Sequence, residues 1–120
     1  MDGGDEMRRL LLEMRERATG RLERFTASLD DLVAARRGES DDDEHDPEGV
    51  TLSSEWSRLA GLVDGARAEL SQLDEALLRL DAGSYGVCLG CGERIPLARL
   101  EARPFADRCV PCASRARPRR

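Results

Sequence analysis

The 120-residue chain contains no lysine; all nineteen basic residues are arginine, a bias of the kind that genome base composition imposes rather than chemistry. Large rings are nearly as scarce, with one tryptophan, one tyrosine and two phenylalanines making up 3% of the residues, while 36% are charged. That balance excludes a large globular core and suits extended helices rich in surface. Histidine occurs once, at His45, far from every cysteine, so a mixed histidine–cysteine site with an open coordination position is not indicated. No apolar run approaches the roughly eighteen residues of a membrane-crossing helix. Nothing near Met1 has the layout of a secretory signal, so the expected compartment is the cytoplasm, where thiols stay reduced. The formal charge of −5 is a poor start for nonspecific nucleic-acid binding. A length of 120 residues allows one domain, or a small domain with an appendage.

What the chain does have is concentrated between Tyr85 and Cys112. All four cysteines fall there, as Cys88, Cys91, Cys109 and Cys112, in two C-x-x-C knuckles separated by seventeen residues. This is the spacing of a four-thiolate zinc site, because two intervening residues let the backbone turn so that both sulfurs of a knuckle face one tetrahedral ion. Gly90 and Gly92 suit a first knuckle whose turn needs positive φ. Pro96 to Arg103 reads as one short helix, with Pro96 at its first position and Pro104 stopping it. The same cysteine pattern also serves a disulfide, a redox dithiol or an iron–sulfur cluster. Spacing and a reducing compartment favour one structural Zn2+, with no catalytic partner beside it and hence no enzymatic role. Counting four thiolates and the divalent cation takes the formal charge to about −7. The large apolar residues of this stretch, chiefly Val87, Ile95, Leu97, Leu100 and Phe105, are too few to hold a fold alone. Zinc binding, on the order of 10 kcal/mol in small zinc peptides, supplies the deficit.

Upstream of the cysteines, hydrophobic periodicity predicts two long helices. After an unstructured start at Met1 to Asp5, apolar residues recur at Met7, Leu11, Met14, Ala18, Leu22, Phe25, Leu29 and Leu32. This is a heptad seam with one extra four-residue step, a stutter, near Gly20. It predicts one helix ending around Arg37 and Gly38, with a solvated outer face of pairs such as Glu13 and Arg17. Leu10, Leu11 and Leu12 widen the stripe at its start and ask for a cover besides a partner helix. The second seam, Leu52, Trp56, Leu59, Val63, Ala66, Leu70, Leu73, Leu77 and Leu80, alternates steps of four and three throughout, a strong coiled-coil pattern. Gly83 is a natural stop for this helix. Gly61 and Gly65 lie off the seam and cost up to about 1 kcal/mol each without an evident purpose.

Between the helices, Glu39 to Glu48 carries seven carboxylates, with Pro47 and Gly49 as breakers. Both seams run about thirty residues from that break, so two antiparallel arms of roughly 45 Å would end level. The expected organisation is mainly α: a long antiparallel coiled-coil hairpin over residues 1–84 with an acidic tip at about 38–50, a four-cysteine zinc finger over 85–114 and a basic tail over 115–120. Arg115, Arg117, Arg119 and Arg120 in that tail read as a frayed, solvated end. The acidic run, on composition alone, also fits a solubilising linker.

With these residues in place, the chain resembles the DksA/TraR family of RNA polymerase regulators. The resemblance rests on the order long helix, acidic turn, long helix, then Tyr85-Gly-Val-Cys88 and Cys91-Gly. It rests above all on Leu100-Glu101-Ala102-Arg103-Pro104 between the two knuckles. It implies that the four cysteines are the metal ligands and that the protein docks on RNA polymerase. The hairpin tip would then enter the secondary channel and modulate initiation without sequence-specific DNA binding. On that mapping the polymerase-facing tip comprises Asp43, Glu44, Asp46 and Glu48. The family tip carries two aspartates three apart; here Asp46-Pro47 fits the first, and Gly49 stands where the second would be. Arg103 matches a family arginine implicated in binding guanosine tetraphosphate at the polymerase interface. Gln72 and Ala113 stand in for lysines of that site, so the nucleotide is expected as a weak ligand at most. A monomer is expected. Readings of other classes are a thiol redox sensor that ejects zinc on oxidation, a zinc-finger DNA binder, and a coiled-coil adaptor whose zinc module only staples the helices.

Overall fold

The protein is described here by a computed structural model covering residues 2–39 and 47–116. The described residues form four helices: α1 (Asp2–Glu39), α2 (Pro47–Ala82), α3 (Leu97–Ala102) and α4 (Val110–Ala116). Extended pairing among them is limited to one antiparallel bridge between Val87 and Arg94, so the protein is mainly α. Helix α1 starts at Asp2, not after Asp5; acidic residues in a first turn favour the helix through its dipole. Helix α2 opens on Pro47 and runs through Gly49, so neither residue breaks it. Proline at a first helical position sacrifices no hydrogen bond and has φ already set.

The chain divides into two compact units, one made of Glu16–Leu70 and the other of Met1–Arg15 with Ser71–Arg120. In the first unit the buried residues are seam positions, Ala18 from α1 and Leu59, Val63 and Ala66 from α2. The Arg21 guanidinium meets the Glu69 carboxylate at 2.8 Å across the pair of helices. Trp56 departs from its seam role: it is 44% exposed and lines an open recess with Val33, Arg36 and Arg37. A two-helix seam has no third layer to cover a side chain of that size.

The second unit pairs the start of α1 with the end of α2. Arg8 bonds Asp81, and Arg15 reaches Asp74 at 2.5 Å, so the helices run antiparallel here, one number rising as the other falls. These pairs are half-exposed, and solvent screening leaves them little weight in stability; what they set is register. Leu11 and Leu73 are wholly buried between the helices, as is Ala76, which lies off the predicted seam. Leu10 and Leu12 are 37% and 49% exposed, so the described residues cover them only in part. Consecutive residues of an α-helix lie about 100° apart, and only one of the three leucines can face α2.

Helix α2 ends where expected. Gly83, at φ 79°, donates to the Leu80 carbonyl at 3.3 Å, and Ser84 donates to the Arg79 carbonyl at 2.9 Å. This is the paired closure of a Schellman motif, which satisfies two carbonyls that would otherwise end the helix unbonded. The chain then turns directly into the first knuckle.

Candidate metal centre

The first knuckle is a tight loop whose ends are tied by backbone bonds. Cys88 donates to the Glu93 carbonyl at 2.8 Å, Gly92 to the Cys88 carbonyl at 2.9 Å, and Ile95 to the Gly86 carbonyl at 2.8 Å. Gly92, at φ 76°, takes the left-handed turn that a side chain would strain. Gly90 serves a different purpose from the one its position suggests. Its φ is not positive; a Cβ there would lie 2.8 Å from Cβ and 2.9 Å from Sγ of Cys112. The bare backbone at Gly90 is what lets the second knuckle close on the first.

The intervening segment spans the gap. Pro96 precedes α3 as its N-cap, one residue earlier than a first helical position, and Arg103 caps the other end. The Tyr85 hydroxyl donates to the Pro104 carbonyl at 2.7 Å, and Arg99 Nε donates to the Arg108 carbonyl at 2.6 Å. Leu89 donates to the Asp107 carbonyl at 2.8 Å, joining the two knuckles directly. The second knuckle leads into α4, a helix absent from the sequence reading, with Ala113 bonded back to the Cys109 carbonyl at 2.9 Å. The module's own core is only Cys88, Ile95, Leu100, Ala106 and Cys112, with Tyr85 and Cys109 against it. Leu97, predicted to be part of that core, is 69% exposed.

These ties bring the sulfurs of Cys88, Cys91, Cys109 and Cys112 within 4.8 Å of one another. Cys88 and Cys109 are 3.7 Å apart, and Cys91 and Cys109 are 4.0 Å apart. Four thiolates at Zn–S bonds of about 2.3 Å around a tetrahedral centre sit about 3.8 Å apart. All four cysteines are free, and a disulfide would hold one pair at about half that distance. The donor set therefore fits one structural Zn2+ with a closed, all-thiolate shell.

Each sulfur has its own surroundings. Burial pushes the Cys88 thiol up, yet the backbone N–H groups of Cys109, Cys91 and Gly90 more than offset it and bring the thiol down to about 6. The Glu93 N–H pulls the Cys91 thiol down, but Cys88, burial and the other two cysteines push it up to about 11. Cys112 is raised by its bond to Cys109, with the Arg115 guanidinium opposing. Sulfurs this close cannot all ionise unaided, so the cation must displace protons as it binds.

The other predicted site residues are placed differently. Arg103 is exposed, its guanidinium 5.3 Å from the centre of the Phe105 ring, a cation–π contact. Asp43, Glu44 and Asp46 lie outside the described residues, as does the Glu48 side chain. Arg115 does not belong to a frayed tail: it lies within α4, and its Nη2 donates to Cys112 Sγ at 3.2 Å. Its spacing of three from a cysteine was the available signal, but that signal depends on a helix whose presence the sequence did not reveal. Arg117, Arg119 and Arg120 lie outside the described residues.

Residues 83–118 match the prokaryotic dksA/traR C4-type zinc finger. The RNA polymerase-binding transcription factor DksA of Haemophilus influenzae is 37% identical over 67 residues, 56% of this chain and 46% of that protein. Its counterpart from Caulobacter vibrioides is 48% identical over 65 residues, 52% of this chain and 46% of the relative. The match thus spans just under half the length of these curated relatives. The solved structure of transcription factor DksA2 from Pseudomonas aeruginosa superposes with a TM-score of 0.73 at 30% identity, over 93% of this chain and 81% of that one. With the four-thiolate cluster and both long helices accounted for by these likenesses, the chain belongs to the DksA/TraR family and holds one structural Zn2+.

Proposed function

We propose that the chain is a non-enzymatic transcription regulator that binds RNA polymerase. The observation carrying this reading is the likeness to DksA2, which extends beyond the zinc finger through both long helices. The acidic segment at the α1–α2 junction, with Asp43, Glu44 and Asp46 between the helices and Glu48 in the first turn of α2 as its contact residues, enters the secondary channel and modulates initiation. The protein acts in the cytoplasm, as a monomer, without sequence-specific DNA contacts. Carboxylates delivered into a confined basic channel beside magnesium are attracted most strongly where water is scarce. The exposed Arg103 guanidinium, oriented by Phe105, is the proposed contact for a polymerase-bound guanosine tetraphosphate.

The test is co-purification of the full chain with RNA polymerase, followed by transcription with the unchanged protein and with Asp46→Arg/Glu48→Arg. The double variant should still co-purify and lose its effect on initiation. Equal effects of the two proteins would remove the role of the acidic segment, and failure of both to co-purify would remove the polymerase reading. The exposed Leu10, Leu12 and Leu78 on the helices favour one other reading, an adaptor that binds through its helical faces. An adaptor of that kind tolerates the charge reversal and loses its partner when those leucines become polar.

A further inference from the structure

We infer that Arg115 is an outer-shell residue of the zinc centre, one that holds the Cys112 thiolate in place and slows loss of the ion. A zinc ion with four thiolates carries a net charge of −2, which favours a nearby cation. Arg115 lies three residues after Cys112 on α4, on the same helical face, and its Nη2 donates to Sγ at 3.2 Å. The contact supplies a hydrogen bond and a full positive charge to a cysteine that is itself buried, at 6% exposure.

The four sulfurs are not served alike. Cys88 Sγ accepts backbone N–H bonds from Gly90 at 3.3 Å and Cys109 at 3.4 Å, both from the main chain of the knuckles themselves. The bond to Cys112 is different because it comes from a side chain and is open to substitution. A guanidinium bonded to a thiolate fixes the direction of the sulfur and offsets part of the negative charge of the four-thiolate shell. Partners of this kind fix the orientation of a first-shell ligand, and losing one weakens metal retention by roughly ten- to a hundred-fold. The inference concerns retention of the ion and is independent of polymerase binding.

The experiment follows transfer of Zn2+ from the full, zinc-loaded chain to a chromophoric chelator, comparing the unchanged protein with Arg115→Ala, Arg115→Lys and Arg67→Ala. Arg67 is exposed on α2 and serves as the control. Arg115→Ala should lose zinc about ten-fold faster, Arg115→Lys should fall between it and the unchanged protein, and Arg67→Ala should not differ. Loading the same four proteins with Co2+ gives a second readout, the sulfur-to-cobalt charge-transfer band, which should shift in Arg115→Ala alone or most strongly. Equal release rates and unchanged cobalt spectra in Arg115→Ala would overturn the inference. So would equal acceleration in Arg115→Ala and Arg67→Ala, which would mark general destabilisation.

Discussion

The two compact units are held together by different means. In Glu16–Leu70 the stabilisation is spread along a seam, Ala18, Leu59, Val63 and Ala66 each burying a modest apolar area with no single residue in command. The knuckles of the other unit share a core of five residues, two of them cysteines of the metal cluster, while Val87, Leu89, Leu97 and Val110 stay exposed around it. Coordination has taken over the work of a core, so apolar side chains near the ion need not be inside. A seam should therefore yield gradually to mutation, and a metal centre all at once.

Zinc removal is the largest way to break that contrast. Chelation, or Cys109→Ser, should unfold the knuckles, α3 and α4 while the long helices keep most of their helicity. The loss is on the order of 10 kcal/mol of binding energy, and acid should bring it on sooner because protons compete for the sulfurs. Hydrogen exchange resolved along the chain checks this, and continued protection of Ile95 and Leu100 without metal would contradict it. Leu73→Ala comes next: a leucine wholly buried between α1 and α2 should cost about 3 kcal/mol in urea unfolding, with the stoichiometry of bound zinc unchanged.

A smaller effect attaches to Tyr85, whose hydroxyl ties the first knuckle to Pro104. Tyr85→Phe should destabilise the zinc finger by about 1 kcal/mol. Burial, opposed in part by Arg79, raises the Tyr85 phenol above its ordinary 10.0. The folded form thus keeps this proton longer than the unfolded one. Stability from this group is full below pH 10.0 and declines as the pH rises beyond it. Alkaline unfolding followed by circular dichroism should show that decline in the unchanged protein and less of it in Tyr85→Phe. Smallest of all, Gly61→Ala and Gly65→Ala should stabilise α2 by about 0.5–1 kcal/mol each. An added Cβ at either glycine meets nothing within 4 Å, and a fall in the urea midpoint would show a packing role that is not visible.

Much of this was legible residue by residue. The seam positions Leu11, Ala18, Leu59, Val63, Ala66 and Leu73 are the buried ones, and Gly83 stops α2. The four cysteines meet as their spacing predicted. Other features required knowing what lies across a gap. Trp56 satisfies the heptad rule and is still exposed, because the rule says which side a residue faces and nothing about the size of the cover. Ala76 breaks the rule and is wholly buried, while its seam neighbour Leu77 is only partly so. Gly90 looked like a turn glycine and proved to be a clearance for Cys112.

By itself the sequence determined the two helices, the stop between helix and knuckle, and a four-cysteine pattern that favours zinc. These depend on intervals along the chain: 3.5 residues per repeat, two residues between sulfurs, and a glycine where φ must be positive. Only the tertiary structure decided which charges pair between α1 and α2, which of three adjacent leucines is buried, and that Arg115 bonds Cys112 Sγ. A hydrogen bond or an ion pair forms where two groups come within about 3 Å, and that distance between residues remote in sequence exists only once the chain has folded.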